Sequence, residues 1–218
     1  VQEESLWVGA VKQSALDRKI LGLDELKTLL GSPDLKRIPS VTWLSVERFY
    51  VEDKNAFWEV DLKLKKAQKV WAYPAEGANI DFHSKSRRVA YTKNNNLYAT
   101  INQKEVGITS EPSHMVCGQS ISRNEYGISK GTFWSPDGAK LAYYIKNEIN
   151  VTDYPLVDFT VIPATSKTIK YPMAGGKSET VYVGIYDATS GKNIRLKMGR
   201  TPENDQYYLT NLTWSPDG

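Results

Sequence analysis

Thr132-Phe133-Trp134-Ser135-Pro136-Asp137-Gly138-Ala139-Lys140-Leu141-Ala142-Tyr143 reads as an aromatic anchor, a tight turn and the start of a strand. In Ser135-Pro136-Asp137-Gly138, proline presets φ for the turn and glycine takes the left-handed position. Leu141-Ala142-Tyr143-Tyr144-Ile145 is a short apolar run bounded by turn signals, the pattern of a strand. The same words return in Leu212-Thr213-Trp214-Ser215-Pro216-Asp217-Gly218. Phe82-His83-Ser84-Lys85-Ser86-Arg87-Arg88-Val89-Ala90-Tyr91 aligns without a gap on Trp134 to Tyr143, with His83 in the place of Ser135. An earlier copy, Val41-Thr42-Trp43-Leu44-Ser45-Val46-Glu47-Arg48-Phe49-Tyr50, is one residue shorter in its turn.

The spacings from Trp43 to Phe82 to Trp134 to Trp214 are 39, 52 and 80. Propeller repeats run at ~40–50 residues, so the first two spacings suit one sheet each. The third suits one sheet with an insertion, or two degenerate sheets. A repeat of this size cannot bury its apolar face alone, so neighbours must stack. The expected fold is therefore all-β: a partial β-propeller of mostly antiparallel sheets with a short N-terminal helix. Its expected division is an N-terminal segment over 1–40 and an incomplete propeller over 41–218.

Composition narrows the function. The 218 residues carry 28 basic and 25 acidic side chains, a net charge of +3. That balance argues against a nucleic-acid surface, which clusters lysine and arginine. The one basic cluster, Lys63 to Lys69, falls in an expected hairpin and reads as a solvated turn. Cys117 is the only cysteine, so no intramolecular disulfide forms. No apolar run approaches the ~18 residues of a membrane span. The chain starts at Val1 and stops at Gly218 on a turn whose strand is missing, so it is expected to be a piece of a larger protein.

Ahead of the repeats, Ser5 to Val11 suggests a short strand. Leu23, Leu26, Leu29 and Leu30 share one face of a short helix stopped by Gly31. Phe49 to Val51 pairs with Phe57 to Leu62 across a turn, and Val70 to Tyr73 adds a strand. Asn94-Asn95-Asn96 turns Val89–Tyr91 into Leu97-Tyr98-Ala99. Thr180 to Tyr186 alternates and turns into Asn193 to Leu196. Tyr154 to Ser178 is long for a hairpin loop and reads as an insertion.

Several stretches together resemble one family. They are Ser122-Arg123-Asn124-Glu125-Tyr126-Gly127-Ile128, Lys130 to Gly138, Thr152-Asp153-Tyr154-Pro155-Leu156-Val157-Asp158, Tyr171-Pro172-Met173-Ala174-Gly175, Val183 to Asp187 and Leu209 to Asp217. They are similar to the N-terminal β-propeller of the dipeptidyl peptidase IV group of the prolyl oligopeptidase family, most of all to its bacterial prolyl tripeptidyl aminopeptidases. The resemblance implies an eight-bladed propeller capping a C-terminal α/β-hydrolase domain that carries a Ser-Asp-His triad, so no catalytic residue is expected in this chain. It implies an exported, periplasmic or secreted serine exopeptidase, a homodimer at full length, acting on peptides with a free N-terminus and needing no cofactor or metal. By resemblance, Glu125 binds the substrate α-amino group, with Asn124 and Arg123 beside it as substrate-binding residues. If the stretch is a strand, alternation puts Arg123 and Glu125 on one face. The dipeptidyl enzymes show two adjacent glutamates here; Asn124-Glu125 resembles the tripeptidyl branch. They also use an arginine from an earlier propeller loop, for which Tyr50 to Asn55 offers no match.

Three other patterns invite different chemistry. Gly127-Ile128-Ser129-Lys130-Gly131 spells G-x-S-x-G, but a nucleophile elbow needs a helix after the turn and a histidine downstream; His83 and His114 both lie upstream. Gly175-Gly176-Lys177-Ser178 resembles the end of a phosphate-binding loop, yet Tyr171 stands where its first glycine belongs. His83, His114 and Cys117 lack metal-ligand spacing. The competing reading of the repeats themselves is a non-catalytic periplasmic propeller of the TolB type that binds protein partners.

Overall fold

The computed structural model describes residues 4–8, 18–197, 199 and 209–218. The chain divides into two compact units, Val1–Ala75 and Glu76–Gly218.

In the first unit, β1 (Ser5–Val8) pairs antiparallel with β2 (Arg18–Gly22), which runs into helix α1 (Leu23–Leu30). The helix ends where the sequence places its stop, at Gly31. Leu26 and Leu30 are its buried residues, and with Leu21 they pack on Phe49, Val51 and Val60. Those three belong to a four-stranded meander, β3 (Val41–Trp43), β4 (Arg48–Asp53), β5 (Ala56–Asp61) and β6 (Lys66–Ala72). Lys54 and Asn55, both at positive φ, form the two-residue turn between β4 and β5. Such turns match the twist of the flanking strands.

The second unit opens with another four-stranded meander: β7 (Ala78–His83), β8 (Arg88–Lys93), β9 (Asn96–Ile101) and β10 (Lys104–Gly107). A five-stranded sheet follows. Its strands are β11 (Met115–Cys117), β12 (Thr132–Trp134), β13 (Lys140–Asn147), β16 (Thr180–Asp187) and β17 (Asn193–Arg195). Between β13 and β16 the chain forms a separate hairpin, β14 (Asp153–Asp158) and β15 (Thr165–Lys170). The spacing of 80 thus belongs to one sheet with an insertion, and the alternative of two degenerate sheets is set aside.

The repeat occupies the same place in each sheet. Its aromatic residue lies on an outer strand (β3, β7, β12) and its apolar run is the strand that follows and pairs with it (β4, β8, β13). The fold is an incomplete set of unclosed antiparallel sheets, a partial propeller with one short N-terminal helix. In the second unit, Leu97, Ala99 and Ile101 of one sheet and Leu141, Tyr143 and Ile145 of the next share one buried core.

Ser135, Asp137 and Gly138 each hold part of the repeat's turn. Ser135 is buried; its hydroxyl lies 2.6 Å from Asp137 Oδ1 and accepts the Lys140 N–H at 2.9 Å. Asp137 Oδ1 also accepts the Ala139 N–H at 2.9 Å. The Ser135 hydroxyl, then this N–H, hold the Asp137 carboxyl below its ordinary range. Gly138 sits at φ 71° and donates its N–H to the Ser135 carbonyl at 2.7 Å. In the upstream copy, His83 takes the serine's place, with its Nδ1 2.8 Å from the Ser86 hydroxyl. Burial is the first cause that lowers the His83 pKa.

The inserted hairpin has another character. Every residue of β14 is exposed, and its tip carries Phe159 and Ile162, 80% and 99% exposed.

Candidate functional site

Strands β11 and β12 lie end to end on one edge of β13. Met115, Val116 and Cys117 face Asn147, Lys146 and Ile145, while Thr132, Phe133 and Trp134 face Tyr143, Ala142 and Leu141. Tyr144 sits between them. Its carbonyl accepts the Gly118 N–H at 2.8 Å, and its own N–H donates to the Gly131 carbonyl at 2.9 Å. The chain between Gly118 and Gly131 leaves the sheet edge and returns to it as a closed loop. Compact loops with adjoining ends are frequent carriers of function.

The neck of the loop is backbone against backbone. A Cβ on Gly131 would lie 2.1 Å from the Gln119 carbonyl oxygen, so no larger residue fits without moving the chain. Ile121 and Ile128 anchor the two limbs, both buried in a cluster with Tyr144, Val181 and Val183. These isoleucines fix the two limbs from which the loop's polar crest rises.

The crest is a tight 3-10 turn over Ser122–Asn124. The expected strand alternation of Arg123 and Glu125 therefore does not apply. Ser122, Asn124 and Tyr126 adopt φ of 49°, 62° and 56°. Left-handed backbone costs non-glycine residues roughly 1–2 kcal/mol each, so the surrounding structure must impose it. Part of the restraint is local. Glu125 N–H donates to the Ser122 carbonyl at 2.9 Å, and the Glu125 carbonyl accepts the Ile128 N–H at 3.0 Å.

Glu125 is exposed and lines a cleft of about 190 Å³. Its other walls are Ser122 and Tyr126 of the same loop, Tyr171 and Pro172 beyond the inserted hairpin, and Ser178 and Glu179 ahead of β16. Tyr171 is held by its N–H to the Thr152 carbonyl at 2.9 Å and by ring contact with Tyr154 at 5.6 Å between centroids. Two stretches that the sequence presents separately, Ser122 to Gly127 and Tyr171-Pro172, thus meet at one cleft. Among the described residues lining it, two are glutamates and none is basic. Such a cleft suits a small cation presented with an apolar neighbour.

The other sequence-derived residues fall as follows. Asn124 is exposed on the loop, its side-chain oxygen accepting from the Ser120 hydroxyl, and it is not among the cleft-lining residues. The backbone of Arg123 is in the 3-10 turn, while its side chain lies outside the described residues. Glu179 is the residue that sequence reasoning missed. It follows a Gly-Gly-Lys-Ser run and precedes an alternating strand, and no pattern marks it. Its Oε1 accepts the Ser122 backbone N–H at 3.1 Å, and Ser178 Oγ lies 3.3 Å from its Oε2.

Ser129 is exposed on the returning limb and is followed by β12, not by the helix that a nucleophile elbow requires. Cys117 is fully buried, and burial pushes its thiol up to about 11. Among the described residues no group of three or more metal-ligating side chains comes together. No helix among them is long and apolar enough to cross a membrane.

Comparison with known proteins places the chain in a family. Residues 34–218 match the model of the dipeptidyl peptidase IV (DPP IV) N-terminal region, and the chain belongs to that family. A Bacteroides ovatus protein assigned as a dipeptidyl aminopeptidase IV has a solved structure that aligns with a TM-score of 0.77 at 36% identity, covering 92% of this chain and 28% of that one. Porphyromonas gingivalis dipeptidyl peptidase 4 aligns with a TM-score of 0.68 at 16% identity, over 94% of this chain and 31% of that one, a likeness of fold. Dipeptidyl aminopeptidase B of Saccharomyces cerevisiae is 22% identical over 88% of this chain and 24% of its own length. The chain spans about a quarter of the length of the curated relatives it matches.

Proposed function

We propose that this chain is the non-catalytic propeller part of an exported serine exopeptidase that releases N-terminal di- or tripeptides after proline. The observation that carries the proposal is the cleft that Glu125 lines together with Tyr171 and Pro172, with no basic side chain among its described walls. A carboxylate held there pairs with a substrate α-ammonium through charge-assisted hydrogen bonds. Fixing the amine fixes the distance from it to the scissile bond, which is positioning rather than bond chemistry. The bond chemistry belongs to the Ser-Asp-His triad of a C-terminal hydrolase domain in the whole protein. Asn124 in place of a second adjacent glutamate favours the tripeptidyl branch. In the whole protein the propeller also gates access to the triad, in the periplasm or outside the cell, and two copies pair through the apolar β14–β15 hairpin.

The test uses the full-length protein on chromogenic Ala-Pro and Ala-Ala-Pro substrates with free amino termini. The tripeptide is cleaved in preference, and Glu125→Gln raises KM about tenfold or more, as expected for a lost charged hydrogen bond. Cleavage of neither substrate would overturn the peptidase reading and favour a partner-binding propeller of the TolB type.

A further inference from the structure

We infer that Glu179 is a positioning residue for Glu125, acting through Ser122. The inference rests on the amine-anchoring reading of Glu125 and adds to it the group that sets the anchor's geometry.

The argument starts from the 3-10 turn. A helical turn leaves its first N–H groups without intrahelical partners, and a side chain just before it usually caps them. Here the preceding residue is Ile121, which has no side-chain acceptor and is buried in the core. The Ser122 N–H is satisfied instead from another part of the chain, by Glu179 Oε1 at 3.1 Å across a separation of 57 residues. The Ser122 carbonyl in turn accepts the N–H of Glu125 at 2.9 Å. Ser122 is therefore bonded on one side to Glu179 and on the other to Glu125.

The backbone around it does not hold this shape by preference, since Ser122, Asn124 and Tyr126 all sit at left-handed φ. Ile121 and Ile128 fix the limbs of the loop but not the crest between them. Glu179 fixes the crest. It stands immediately before β16, whose Val181 and Val183 share the buried cluster of Ile121 and Ile128. The reference point for Glu125 is thus a strand of the sheet rather than the loop itself, as a preorganised binding group requires.

The full-length protein provides the test, with Glu179→Ala and Glu179→Gln assayed on Ala-Ala-Pro-p-nitroanilide. The amide oxygen of glutamine still accepts the Ser122 N–H; alanine offers nothing. Glu179→Ala is expected to raise KM about tenfold with kcat within about twofold, the loss of one hydrogen bond to a charged acceptor. Glu179→Gln is expected to recover most of that. In a Glu125→Gln background, Glu179→Ala adds nothing further, because it acts through the missing group. Equal damage from Gln and Ala, additive with Glu125→Gln, would overturn the inference and make Glu179 a direct amine ligand.

Amide hydrogen exchange over residues 121–128 is the readout independent of activity. It quickens in Glu179→Ala and not in Glu179→Gln. Unchanged exchange in Glu179→Ala overturns the positioning role even if the enzyme is active. Quickened exchange together with a Glu125→Gln variant that cleaves like wild type leaves the positioning role standing and sinks the amine-anchor reading instead.

Discussion

Trp214 donates its indole N–H to the backbone carbonyl of Phe133 at 2.8 Å. Trp134, one repeat earlier, makes the same bond to the carbonyl of Asp81 at 3.2 Å. Phe133 precedes Trp134, and Asp81 precedes Phe82, so each tryptophan reaches the equivalent peptide of the repeat before it. The residues after the turns reach the other way. Arg88 donates to the Gly138 carbonyl, and its counterpart Lys140 lies over the Trp214 ring at 5.9 Å from its centroid. The Trp-Ser-Pro-Asp-Gly word therefore encodes more than a turn: it carries the fastening between successive repeats of the second unit.

Replacing Trp134 with phenylalanine keeps most of the ring and removes the donor. The Asp81 carbonyl then loses a part-buried partner. The expected cost is about 1 kcal/mol, the net worth of one hydrogen bond. Urea unfolding followed by circular dichroism measures it, and a midpoint equal to wild type would remove the fastening role. Trp134→Ala loses the packing as well and is expected to cost about 3 kcal/mol or more.

Gly131 and Gly127 offer a matched pair on the Glu125 loop. Alanine at 127 meets nothing within 4 Å and suffers only its left-handed φ of 74°. Its expected cost is about 1 kcal/mol. Alanine at 131 collides with the Gln119 backbone at 2.1 Å and must open the neck of the loop. A loss of about 3 kcal/mol or more is expected, with KM raised as Glu125 shifts. Equal melting temperatures for the two variants would show that the neck is not tight.

The sheets were legible because the repeat carries its own turn chemistry and alternation. Leu141 to Ile145 and Thr180 to Tyr186 are strands as read, and Gly31 stops the helix. The Tyr154–Ser178 insertion was legible as an insertion but not as a hairpin, since β14 and β15 are exposed on all but two residues and show no buried face to produce a pattern. Strand β10 (Lys104–Gly107), mostly exposed, was lost for the same reason. At the candidate site, Glu125 was singled out by the words around it. The left-handed turn that presents Glu125, and the bond that joins Ser122 to Glu179, 57 residues apart, are recorded by no local pattern.

Alkaline pH should weaken the second unit in a defined window. Burial raises the Cys117 thiol from 9.0 to about 11 and the Tyr143 phenol from 10.0 to about 12. Above the ordinary values the unfolded chain gives up these protons first, so it binds fewer than the folded chain and stability falls with rising pH. The thiol's contribution is complete below about pH 9 and lost by about pH 11; the phenol's follows between about 10 and 12. Stability measured from pH 7 to 11 should be level at first and then decline, with a shallower decline in Cys117→Ala. The native thiol should also resist alkylation at pH 8, where a free thiol reacts readily. Rapid labelling without unfolding would contradict its burial.

The β14–β15 hairpin is the clearest candidate for contact between copies. Leu156, Val157, Phe159, Val161 and Ile162 are all exposed on it, an apolar surface that monomeric proteins rarely leave open. Closed twofold contacts are the commonest form of self-association, and each copy then offers the same patch. Phe159→Ser combined with Ile162→Lys should convert a full-length dimer to monomer in light scattering while leaving the melting temperature within a few degrees, because neither side chain supports the core. A dimer that survives the double substitution would place the interface elsewhere. A monomeric wild type would leave the hairpin without a second copy to bind. Should the monomer form keep its kcat on Ala-Ala-Pro-p-nitroanilide, pairing serves stability; should KM rise, Tyr171 at the hairpin's base conveys the contact to the cleft.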